Sequence, residues 1–354
     1  ETYGEVGLTA NWLNPEHTDG AWLKTSVKLA LVAPRNSTFD TLNAFAVREA
    51  WAQAGHVIES KPDMTFWAGQ RFYRREDSHI IDFFFYDMSG YGAGFEDLKV
   101  GDKMKLAVAY LGGSIENGMG PGADIGRLAK NTLDLRLYDI PAGNGKLEVW
   151  LIPTLGPTGS LPAGANRSGI GGGVFHRMPF MGGDNLLAAE FGIGGAADFS
   201  SGLDQSIAKN GWMLRFVDRT TVQLSPELAL QGTGVFQLDN RNGSTNGSGG
   251  DMWISAGARP VYNFTKHLGF AVEGGVDVVK AEAAPMATVD TGVLGKLTVA
   301  GLIRAGTGYY SRPELRAYVT SAFWNDAIKG KVGGAAFAND NFGLTMGVQM
   351  ESWW

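Results

Sequence analysis

An antiparallel transmembrane β-barrel is the fold class this sequence predicts. Three observations predict it: short segments that alternate apolar and polar residues, a glycine excess, and an alternating C-terminal strand tipped with aromatics. Glycine supplies 51 of 354 residues, against about 7% on average. In the last eleven residues Leu344, Met346, Val348, Met350 and Trp354 share one parity. Thr345, Gly347, Gln349, Glu351 and Trp353 share the other. Successive strand side chains point to opposite faces, so this segment has an apolar and a polar face. A membrane barrel closes against lipid on such a strand. The same parity turns Trp353 inward.

The pattern recurs from the start of the chain. Val6, Leu8, Ala10 and Trp12 oppose Tyr3, Glu5, Gly7, Thr9 and Asn11, which turns Tyr3 inward. Val27, Leu29 and Leu31 share a face opposite Lys28. Leu106, Val108 and Tyr110 oppose Lys105, Ala107 and Ala109; Leu133, Leu135 and Leu137 oppose Asp134, Arg136 and Tyr138. Leu315, Ala317 and Val319 oppose Glu314, Arg316 and Tyr318. Charge sits on the polar parity each time, as a lipid-facing surface demands. Turn and loop signals at 142–145, 182–185 and 240–250 separate the runs. A strand roughly every 20 residues implies about 16–18 strands in one domain. A soluble β-sandwich, jelly roll or β-helix also alternates; the aromatic terminal strand favours the membrane.

Composition narrows the function. A net charge of −6 argues against nucleic acid as a partner, which calls for basic patches. With no cysteine there are no disulfides and no thiolate metal sites. His17, His56, His79, His176 and His267 lack metal-ligand spacing, so neither metal nor cofactor is expected. Asp77 and Asp82 could be posed as a glycosidase pair, but nothing in the sequence sets their separation. The chain reads as no enzyme.

Residues 64–97 carry the function. Arg71, Arg74, Arg75, Glu76, Asp77 and Asp82 interleave with Phe72, Tyr73, Phe83, Phe84, Phe85 and Tyr86. This is too aromatic for a solvent loop and too charged for a core. A constriction loop folded into a water-filled barrel, over residues 74–97, would use both. A loop with incidental ion pairs is the plainer reading.

Trp67-Ala-Gly-Gln-Arg-Phe-Tyr-Arg-Arg-Glu-Asp-Ser-His-Ile-Ile-Asp82 and Asp87-Met-Ser-Gly-Tyr-Gly-Ala-Gly94 resemble the third-loop signature of maltoporins, the sugar-specific outer-membrane porins. Glu1-Thr-Tyr-Gly-Glu5, Tyr310-Ser-Arg-Pro313 and Glu351-Ser-Trp-Trp354 resemble further family segments in chain order. The resemblance implies an 18-stranded barrel of the Gram-negative outer membrane, assembled as a homotrimer. It implies facilitated diffusion of maltose and maltodextrins, guided by a lumenal aromatic slide and a flanking polar track. Tyr3, Tyr310 and Trp353 match slide positions. Phe39 is the candidate for a slide ring reaching the neighbouring subunit's channel, with Phe45 as competitor. Glu5, Arg48, Arg75, Asp77 and Asp82 match the track.

Four departures accompany the match. Phe84 stands where a constriction tyrosine is expected, so the ring is kept and the hydroxyl lost. Asp184 falls where the slide carries a phenylalanine, which would interrupt it at mid-channel. The segment between Trp324 and Phe342 is shorter than in the family. By the resemblance, the family's first strand precedes Glu1. Besides a maltodextrin channel, two readings stay open: a porin for another sugar or for small solutes generally, and a soluble carbohydrate-binding β-protein without a pore.

Overall fold

A computed structural model describes residues 2–33, 44–117, 126–156, 168–202, 204, 207–208, 210–240, 251–280 and 290–353. The chain begins with β1 (Thr2–Leu13), β2 (Trp22–Ala33), β3 (Ala44–Gly55) and β4 (Thr65–Arg71). A separate hairpin follows, β5 (Arg75–Ser78) and β6 (Phe83–Asp87), joined by a short 3-10 turn. The wall resumes with β7 (Gly90–Val100), β8 (Met104–Asn117), β9 (Gly126–Ala142), β10 (Gly145–Leu155) and β11 (Gly169–Phe180). It continues through β12 (Gly183–Gly194), β13 (Trp212–Gln223), β14 (Leu228–Asp239) and β15 (Asp251–Asn263). The last four strands are β16 (Leu268–Lys280), β17 (Gly292–Arg304), β18 (Glu314–Trp324) and β19 (Phe342–Glu351).

Each wall strand pairs antiparallel with the next, β4 pairing across the hairpin with β7. Among the described residues the wall has 17 strands, against the expected 18. With 17, β1 and β19 run in the same direction, so an antiparallel pair cannot join them, and no register between them occurs among the described residues. The wall nonetheless encloses a lumen. The single excursion between β4 and β7 touches β9 through Tyr86 and Asp134, β14 through Ser78 and Thr233, and the turn before β18 through His79 and Arg312. Only a wall wrapped around that excursion brings these strands within its reach.

Register assigns the faces. Tyr318 lies opposite Gly347 and Thr320 opposite Thr345, while Val319 faces Met346 and Ala317 faces Val348. The second set is the outer one, with Val348 80% exposed. The polar set, with Trp353 following Glu351 by two residues, lines the inside. An apolar outside around a polar inside inverts a soluble sandwich, so the soluble alternative falls. The buried core lies within the barrel, where Tyr73, Phe85, Tyr86 and Met88 of the excursion pack on Trp150 and Phe175 of the wall.

Residues 72–89 leave the wall, whereas Gly90–Val100 belongs to it. The end of the segment expected as a loop, 74–97, is therefore wall strand. Its glycines admit the neighbouring backbone: a Cβ at Gly94 would stand 2.8 Å from the Ala109 Cα. Gly69, beside the point of departure, has φ +126°, and a Cβ there would collide with the Ala50 carbonyl oxygen. A residue with a side chain is excluded at that bend.

Candidate functional site: the lumenal constriction and its aromatic rings

Wall arginines hold the inward hairpin in place. Arg177 on β11 forms a two-pronged pair with Glu76, with Nη1 donating to Oε2 at 3.1 Å. Arg215 on β13 donates to the Phe85 carbonyl at 2.6 Å, and Arg219 to that of Asp77 at 3.0 Å. Below the hairpin, Arg136 grips Asp134 through Nε at 2.7 Å and Nη2 at 2.9 Å and also binds Glu148. Tyr86 donates its hydroxyl to Asp134 at 2.8 Å. A second segment, after β12, backs the hairpin: the Asp87 amide donates to the Phe199 carbonyl at 3.1 Å, and Ser201 returns a bond to the Asp87 carbonyl at 3.0 Å. None of these clamps was singled out from the sequence as a functional residue. Inward parity of an arginine was the available signal.

At the end where β1 begins, Tyr3 donates to Glu5, whose carboxylate lies 3.5 Å from Arg48 and 3.8 Å from Lys28. Arg48 reaches this cluster through a β-bulge, since Lys28 pairs with Glu49 while Leu29 pairs with Val47. The extra residue lets Arg48 and Glu49 both face inward. Opposite them, Arg75 pairs with Asp87 at 3.2 Å. Its guanidinium lies 4.2 Å from the Phe84 ring centre and 4.4 Å from that of Phe72. Lys28 and Arg48 also sit over Phe72, at 4.9 and 5.2 Å. Three cations on one phenyl ring hold the hairpin side of the passage by cation–π attraction. Phe84 is 44% exposed, and the Asp77 and Asp82 carboxylates make no ion pair among the described residues. Phe45 lies opposite Leu31 on the outer face, away from the lumen. Phe39 lies outside the described residues.

At the opposite end, Tyr310 and Trp353 are 40% and 46% exposed. The His79 ring approaches both edge-on, at 5.9 and 6.0 Å between centres. Arg312 covers one face of Trp353 at 4.3 Å and pairs with Glu351 at 2.6 Å. The hairpin tip thus connects the constriction to the terminal rings. Asp184 faces inward opposite Thr221 and lies 3.6 Å from Arg219. With Thr221 and Tyr310 it lines a cavity of about 450 Å³. It is the second residue of β12 after a two-residue turn, so it stands at the short-turn end of the channel and not at mid-channel.

Burial holds the His79 imidazole below its ordinary pKa; Glu351 and Asp77 oppose that shift, while Arg259 and Arg312 add to it. A histidine depressed on folding contributes stability that is complete above its unfolded pKa of about 6.5. That contribution is lost as pH falls through the lower folded value. The temperature at which the folded form converts to the unfolded form on a gel is therefore expected to drop below about pH 6.5. His79→Gln should flatten that part of the profile; superimposable wild-type and variant profiles would contradict it.

The rings, carboxylates and guanidinium groups suit a passing solute that has apolar faces and hydroxyl edges. Among the described residues no group of histidines and carboxylates could hold a metal. The sequence profile of the LamB porin family matches residues 1–354, the whole chain.

Proposed function

The chain belongs to the LamB porin family, and on that premise we propose that it passes maltose and maltodextrin-type oligosaccharides by facilitated diffusion. It is a sugar-selective channel of the Gram-negative outer membrane, not an enzyme. The observation that carries the finer reading is the half-exposed pair Tyr310 and Trp353, bridged by His79, in a lumen rimmed with charge. A glucose ring has C–H faces for such rings and hydroxyl edges for carboxylates and guanidinium groups. Tyr3, Tyr310 and Trp353 form the slide in this reading, with Phe39 as the ring that a homotrimer would lend to a neighbouring channel. Glu5, Arg48, Arg75, Asp77 and Asp82 form the track, and Phe84 lines the constriction. Weak, repeated stacking suits transport, because binding must draw sugar in and still release it.

Liposome swelling tests the reading. Maltose and maltotriose are expected to enter faster than sucrose, which has the same mass as maltose. Rates ordered by mass alone would favour the second reading, a porin for another sugar or for small solutes generally. Asp184, which replaces an aromatic beside Tyr310, and the missing hydroxyl at Phe84 support that second reading.

Phe84→Tyr supplies a direct check of the constriction. A new hydroxyl reaching a sugar edge is expected to tighten maltodextrin block of the channel current by about 0.5–1.5 kcal/mol. No change in affinity would show that passing sugar does not touch this position.

A further inference from the structure

We propose that Tyr318 is an additional sugar platform on the β18–β19 wall, between the constriction and the terminal rings; this rests on the channel carrying sugars. Register places Tyr318 on the lumenal face, opposite Gly347. A Cβ at Gly347 would stand 2.8 Å from the tyrosine oxygen and 3.0 Å from Cζ. The phenol therefore lies along the wall over a position with no side chain. Its flank packs on the cluster that includes Ala300 and Leu302, which limits the ring's freedom without burying it. A stacking platform needs a ring of this kind, held in place and half uncovered.

The surroundings supply what a hydroxylated ring requires at its edge. Tyr318 lines a cavity of about 160 Å³ together with Thr298, Thr320, Gln349, Arg259 and Glu273. That is roughly ten times the smallest space that admits one water. The Thr298 and Thr320 hydroxyls stand 2.7 Å apart, and Arg259 and Glu273, on adjacent strands, pair with each other in the lining. Hydroxyl, amide, guanidinium and carboxylate groups thus share the cavity with the ring, and Val261, Ala271, Ala300 and Leu302 complete its lining. Tyr318 pairs with Gly347, four residues before β19 ends at Glu351, and at about 3.3 Å per residue this is on the order of 13 Å along the strand. The platform would carry sugar between the hairpin and the terminal pair.

Maltohexaose titration of channel current with four variants tests this. Tyr318→Ala is expected to weaken the block about two- to tenfold. Tyr318→Phe should keep near-native affinity, because the face and not the hydroxyl binds. Gly347→Ala should weaken block in the same direction by displacing the ring. Val319→Ala, on the outer face, should match the wild type. A wild-type block that Tyr318→Ala leaves unchanged removes this inference alone. A wild-type channel that maltohexaose never blocks removes the maltodextrin reading, and this inference with it.

Discussion

Replacing Tyr310 and Trp353 together with alanine is expected to weaken maltohexaose block by roughly 5- to 150-fold. A packed aromatic face contributes about 0.5–1.5 kcal/mol beyond burial, so two rings contribute about 1–3 kcal/mol, at about 1.4 kcal/mol per tenfold change. Both rings stand half exposed at one end of the lumen, with the edge of His79 between them. Arg312 occupies one face of Trp353 and His79 approaches it at a right angle, yet the ring stays nearly half exposed, which leaves surface for sugar. The single variants are expected to depart from additivity, because both rings bear on His79. Titration of the open-channel current in a planar bilayer checks this. Retention of near-native affinity by the double variant would show that the terminal rings serve only to seat the hairpin.

The largest effect on stability is expected at Arg136. This guanidinium is almost wholly buried between Asp134 and Glu148, and Asp134 also accepts from Tyr86 of the hairpin. Arg136→Met would leave the fully buried Asp134 carboxylate without its cation and the nearly buried Glu148 with Arg177 alone, at 3.9 Å. Breaking a buried pair from one side costs about 3–5 kcal/mol. Because Tyr86 hangs on the same carboxylate, the hairpin should loosen and the single-channel current should become noisier. Adding Asp134→Leu is expected to restore much of the lost stability, since an apolar pair can replace a buried ion pair at little net cost. The conversion temperature of the folded form on unheated gels reads both variants. Equal temperatures for wild type and Arg136→Met would mean that water reaches the pair.

Much of this was legible in the sequence because strand parity has a period of two and barrel faces differ sharply. Parity turned Tyr3 and Trp353 inward, and register places Glu5 and Glu351 on the same lumenal face. Arg48 shows where parity stops: its bulge shifts the alternation by one residue, and only the pairing of Lys28 with Glu49 reveals it. The hairpin's composition announced an inward segment, but its end at residue 89 depends on glycines that let β7 rejoin the wall. Arg177, Arg215 and Arg219 clamp that hairpin across at least 100 residues of sequence, a separation that no local pattern spans. Asp184 was recognisable as a departure, while its place at the short-turn end depended on the two-residue turn before β12.

The most direct measurement is a bilayer titration of the wild-type channel with maltohexaose, using sucrose as the comparison. A sugar-selective channel with a working aromatic slide predicts saturable block by maltohexaose at concentrations where sucrose leaves the current unchanged. An open channel indifferent to both sugars would contradict the maltodextrin assignment and leave a small-solute pore on this family's barrel.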